Sequence, residues 1–93
     1  MDKIWLKTYP SEVPAEINPE NYQSLTQMLE ESFKKHSASP FSVCMDRWMT
    51  YNEVDELSAA LGAWLQSQGL EPGARVAIML PNLPQFSVTM AAI

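Results

Sequence analysis

The chain has 93 residues, an apolar share of 46% and a net charge of −5. That is room for one small domain, with the composition of a globular protein rather than a disordered one. The six cations (Lys3, Lys7, Lys34, Lys35, Arg47 and Arg75) form no stripe, which disfavours nucleic acid. A single cysteine, Cys44, excludes an internal disulfide and points to a reducing compartment. No Cys/His spacing suggests a metal, and the start Met1-Asp2-Lys3-Ile4-Trp5 has no apolar core of signal-peptide length.

Residues 1–23 read as an extended arm. Pro10, Pro14 and Pro19 recur too often for a helix and push the residue before each towards extended geometry. Trp5, Leu6, Tyr9, Val13, Ile17 and Tyr22 are spaced along it as apolar anchors. Such an arm is expected to lie across a larger body, with Trp5 and Tyr9 shielded only there.

A helix is expected near 25–36. Ser24 is placed to cap it, with Gln27 completing a capping box. Leu25, Met28, Leu29 and Phe33 make one apolar stripe. Glu30 with Lys34 and Glu31 with Lys35 have the spacing of ion pairs. Lys34, Lys35 and His36 sit where the helix dipole favours cations, so His36 reads as a solvated helix-end residue with no catalytic partner. Residues 41–50 read as a hairpin turning at Asp46-Arg47, with Cys44 as a small apolar filler.

Thr50 and Glu53 repeat the capping-box spacing and open a second helix near 51–68, ended by Gly69. Tyr51, Val54, Leu57, Leu61, Trp64 and Leu65 are assigned to its buried face. Asp55 and Glu56 could be imagined as an acid/base pair. Neighbours in sequence diverge on a helix, however, so both read as solvated. Next come the turn formers Gly69-Leu70-Glu71-Pro72-Gly73, then five unbroken apolar residues at 76–80. A strand that alternates has one wet face; one that does not is covered on both. A strand near 75–80 is therefore expected, stopped by Pro81, with a helix from about 83. Such a strand asks for neighbours that the rest of the chain does not offer. Asn82, just past its carboxyl end, reads as a helix cap or turn residue before it reads as a ligand contact.

The chain contains no glycine-rich phosphate loop and no Ser/His/acid set, so its own residues assign no catalytic, cofactor-binding or metal site. The order of elements, with Thr50-Tyr51-x-Glu53-Val54 and Gly69-Leu70-x-Pro72-Gly73-x-Arg75-Val76-Ala77-Ile78-Met79-Leu80-Pro81-Asn82, resembles the N-terminal part of the adenylate-forming superfamily. Ala74 stands where an aspartate is common. The arm, through Trp5-Leu6-Lys7-x-Tyr9-Pro10, Val13-Pro14-x-Glu16-Ile17-Asn18-Pro19 and Tyr22-x-Ser24-Leu25, is similar to the start of bacterial long-chain fatty-acid–CoA ligases.

The resemblance implies an α/β fold, with an arm at 1–23 and the incomplete start of the AMP-binding domain at 24–93. It implies a parent enzyme that uses ATP, Mg2+ and coenzyme A to pass a fatty acid through an acyl-adenylate to the thioester. It also implies a cytoplasmic setting, with room for contact at the inner face of the membrane and for a homodimer. The family's Thr/Gly-rich loop, Tyr-Gly-x-Thr-Glu segment, ribose-binding aspartate and mobile-domain lysine are outside residues 1–93, so no functional residue carries over and the segment alone is expected to be inactive. The expected partner is the rest of the ligase. A stand-alone interaction module, docking on a full-length ligase or a membrane, is the alternative reading; a superfamily enzyme for another acid is a third. An end inside an apolar helix favours the ligase segment.

Overall fold

The computed structural model describes residues 1–93. Its regular elements are α1 (Leu25–Lys35), β1 (Pro40–Cys44), β2 (Arg47–Thr50), α2 (Tyr51–Ser67) and α3 (Pro84–Ala92), preceded by 3-10 turns at Ile4–Thr8 and Pro19–Asn21. This mixture of helices and a two-stranded antiparallel sheet is consistent with the α/β class.

α2 is the hub, packing against α1, α3 and both strands. Three side chains make the core: Phe33 from α1, Val54 from α2 and Val88 from α3, with Leu29, Phe41, Met49, Tyr51 and Ala91 around them. Tyr51 gathers the aromatic part of this shell. Its ring meets Phe41 edge-on at 4.9 Å, His36 at 5.6 Å and Phe33 at 6.4 Å, within the range where ring pairs add to area burial. At Phe41 the register of β1 on β2 shifts, between the pairs Pro40–Thr50 and Ser42–Met49.

The first turn of α2 is fully provided for. Thr50 Oγ1 accepts from the Glu53 amide at 3.2 Å, and Glu53 Oε2 accepts from the Thr50 amide at 2.8 Å, so the expected capping box is formed. The Tyr51 and Asn52 amides donate to the carbonyls of Ser39 and Ser37, which ties the α1–β1 connection to the helix start. Ser24 likewise caps α1 through the Gln27 amide at 3.1 Å. Gln27, however, accepts at 2.8 Å from the amide of Gln23, one residue before the cap, so the reciprocal half of that box is displaced by one position.

Several expectations are corrected. The hairpin turns at Met45-Asp46, with Arg47 already in β2. Both turn residues have positive φ, 49° and 62°, the pattern whose twist matches a two-residue hairpin. Neither is glycine or asparagine, so the loop carries a left-handed penalty of roughly 1 kcal/mol per residue. Replacing the pair by Asn-Gly (Met45→Asn with Asp46→Gly) is expected to stabilise the hairpin by about 1 kcal/mol. Amide hydrogen exchange across the 42–49 ladder is the measurement; unchanged protection would refute it.

The buried face of α2 keeps Tyr51, Val54, Leu61 and Leu65 of the residues expected there, but not Leu57 and Trp64. Ser58 is buried and Leu61, Gly62 and Leu65 are half-buried, whereas Leu57 and Trp64 are about half exposed, at 48% and 57%. The small residues win because α3 crosses closely: a Cβ on Gly62 would lie 3.4 Å from the Ala92 carbonyl oxygen. The Ser58 hydroxyl donates to the Asp55 carbonyl, so its burial leaves no orphaned group. On α1 the expected ion pairs do not form. Glu31 accepts instead from Gln27 at 2.8 Å, and the chain's one salt bridge is Lys3–Glu16. Exposed pairs are worth too little to fix long side chains.

The arm is not extended throughout. Pro19 presets the first position of its second turn, and the Asn18 side chain caps that turn through the Glu20 amide at 3.0 Å. No arm residue is buried; Trp5 and Tyr9 are 45% and 43% exposed.

The largest correction concerns the strand near 75–80. No strand forms there, and no backbone–backbone hydrogen bond involves those residues. The cause is a lack of neighbours, since a strand is stable only through the ladder it shares. Its flanks are as expected. Gly69, at φ 81°, follows α2 in the left-handed conformation of a helix stop. Pro72-Gly73, with Gly73 at φ 86° and the Ala74 amide bonded to the Glu71 carbonyl, makes a turn of the type that needs glycine third. Pro84 opens α3 at its first position.

Candidate functional site

Ligand contacts in open α/β sheets gather beyond the carboxyl ends of strands, which directs attention to Asn82. Asn82 does not cap α3: Leu83 holds the cap position, and no side chain bonds the free amides of that helix. Asn82 is instead the middle residue of a tight turn closed by the Leu83 amide on the Pro81 carbonyl at 2.8 Å. Sequence reasoning put a cap or turn role ahead of a ligand contact and favoured the cap, which Leu83 holds instead.

This turn borders a hollow of about 220 Å³ between β1 and the start of α3, lined by Ser42, Cys44, Asn82, Leu83, Phe86 and their neighbours. Cys44 is half-buried here, in keeping with a filler role, and faces Arg47 across the ladder. The Ser42 hydroxyl oxygen is shut off from solvent without a hydrogen-bond partner. Sequence reasoning did not single it out, because an alternating strand gives no sign of which serine will be covered. No lysine or arginine lines the hollow. A triphosphate needs cations and several convergent amides, so this is not a nucleotide cradle.

The remaining titratable candidates are dispersed. His36 ends α1, exposed to solvent on one side and resting on Tyr51 on the other. Glu56 accepts from Asn52 at 3.1 Å, while Asp55 borders the groove between α1 and α2, so the two carboxylates do not converge. No cluster of three His, Cys, Asp or Glu side chains could hold a metal ion. No helix is long and apolar enough to cross a membrane.

The class is defined by likeness. The sequence profile of the AMP-binding enzyme family matches residues 29–93, and the chain belongs to that family. It is similar over its full length to bacterial long-chain-fatty-acid–CoA ligases. The Escherichia coli O6:H1 ligase is 46% identical over 94 residues, covering 100% of this chain and 17% of that protein. The Salmonella typhimurium (strain LT2) ligase is 45% identical with the same coverage. The Yersinia pestis ligase is 43% identical over 97% of this chain and 16% of its own length. The chain thus spans about one-sixth of the length of these relatives. No solved structure matches it.

Proposed function

We propose that the chain is the N-terminal segment of a long-chain fatty-acid–CoA ligase, which activates a fatty acid with ATP to an acyl-adenylate and passes the acyl group to coenzyme A. The observation that carries this reading is the reach of the similarity. The family profile begins at residue 29, but the likeness to the long-chain ligases extends over the whole chain, arm included. The arm is what separates these ligases from other members of the superfamily in this reading. Residues 1–23 form that arm and residues 24–93 begin the AMP-binding domain.

In this reading ATP, Mg2+ and coenzyme A are held by the rest of the polypeptide, and the lack of a lysine or arginine around the hollow beyond Pro81 supports it. The segment supplies framework: α2 with its capped start, the hairpin, and α3 packed across α2. A cytoplasmic location, contact with the inner face of the membrane and a homodimer belong to the same proposal.

A chimera tests it. The 93 residues replace the matched segment of the Escherichia coli relative, and thioester formation from a panel of carboxylic acids is followed. Activity on long-chain acids within about tenfold of the parent, a barrier change under ~1.4 kcal/mol, is expected. A soluble chimera with a cooperative melt and no activity on any acid would refute the ligase reading. A preference for a different acid would refute the long-chain part alone.

A further inference from the structure

α2 leaves an apolar stripe in solvent. Leu57 and Trp64 are seven residues apart, so they share one face of the helix, about 10 Å apart along its axis. The exposed Ala60 lies between them. Trp48 of β2, 66% exposed, continues the stripe. It borders a hollow of about 480 Å³ together with Leu57, Glu53 and Glu56. Single exposed apolar residues need no explanation, but a row of them rimmed by charge marks an interaction surface. Tryptophan is among the side chains most enriched at the centres of interfaces.

The charges decide what kind of partner fits. Every charged residue of α2 is an acid: Glu53, Asp55 and Glu56. The chain's one salt bridge is Lys3–Glu16, so no cation of this chain pairs with them. Arg47, at the hairpin end of the hollow, is the single base that lines it. An anionic lipid surface would meet like charge. A second copy would bring the same three acids and only one arginine to set against them. The spacing of Leu57, Ala60 and Trp64, at i, i+3 and i+7, matches the apolar face of another helix.

We infer that the face carrying Trp48, Leu57 and Trp64 docks a basic amphipathic helix of another protein. The partner's apolar side covers the stripe, and its lysines or arginines meet Glu53 and Glu56. This surface is additional to the ligase reading and does not depend on it.

The probe is a labelled synthetic helix with leucines at i, i+3, i+4 and i+7 and lysines between them, titrated with the 93-residue chain and with the soluble chimera. Both are expected to bind it, less tightly as salt is raised. A counterpart with glutamates in place of the lysines is expected to bind at least about tenfold more weakly. Trp64→Ser is expected to weaken binding at least about tenfold and Glu56→Lys about threefold, with circular dichroism unchanged because both positions are exposed. Leu25→Ser, at an exposed position of α1, is the control and is expected to change nothing. Equal affinity for the two peptides, or binding unmoved by Trp64→Ser and Glu56→Lys, would overturn the inference. Loss of binding in the chimera would also overturn it, because the ligase body would then cover the face. Self-association of the chain, or partition onto phosphatidylglycerol vesicles, abolished by Trp64→Ser would overturn it in favour of a second copy or a lipid surface. An inactive chimera that still binds the peptide would remove the ligase reading and leave this inference standing.

Discussion

Purified residues 1–93, given ATP, Mg2+ and a long-chain fatty acid, will release no pyrophosphate above background and will unfold over a broad temperature range. The chemical half follows from what surrounds the candidate hollow. Adenylation develops charge on a triphosphate, and enzymes meet that charge with preorganised donors and metal ions. The hollow beyond Pro81 offers no cation. The folding half follows from the core. Only 4 of 93 residues are buried, and one of these is a serine. Small domains are marginal even with complete cores. Fatty-acid-dependent pyrophosphate release, measured beside calorimetry, checks both halves. Turnover would overturn the first; a sharp two-state transition in a monomer would overturn the second and favour a stand-alone interaction module.

Val54→Asp is expected to abolish what helix the isolated chain retains. Val54 is 0% exposed and touches the core from the middle of the packing order, between Phe33 and Val88. A carboxylate there has no partner, and a buried unpaired charge costs several kcal/mol, comparable to the whole stability of a small domain. Val54→Ala, which removes only packing, is expected to cost about 2 kcal/mol. Leu57→Asp is the control. The sequence pattern places Leu57 on the same face as Val54, but in the fold it is half exposed, so the charge stays in water and the loss is expected under about 0.5 kcal/mol. Far-UV circular dichroism of the three variants against denaturant reads the difference. Equal losses at 54 and 57 would mean that the buried face of α2 is the one the periodicity suggests.

Local chemistry was the legible part of the sequence. Ser24 and Thr50 announce the two helix starts, Gly69 the stop and Pro84 the third start, because each acts on backbone groups within four residues. What stayed illegible depends on partners distant in the chain. The face of α2 turns on how closely α3 approaches Gly62, and periodicity alone ranks Leu57 and Trp64 above Ser58. The hairpin loop fell one residue early because Met45 in a left-handed conformation has no compositional sign. The strand at 75–80 was misjudged for a physical reason: its composition records an environment of two covered faces, while the ladder that makes a strand needs neighbours absent here. The site was least legible. Asn82 was flagged and proves to be a turn residue, and Ser42 gave no signal.

The bonds from Tyr51 and Asn52 to Ser39 and Ser37 have a bearing on the order of events during synthesis. They close a circuit wholly within residues 37–53, and the hairpin and both cap groups lie inside the same short span. Nothing in that circuit waits for residue 75 or beyond. As a nascent chain leaves the ribosome, the hairpin and the start of α2 can organise early, because closing short loops costs little entropy. The stretch at 75–80 then emerges apolar and unpaired. Apolar and without a backbone partner, it is the segment of this chain most in want of a chaperone.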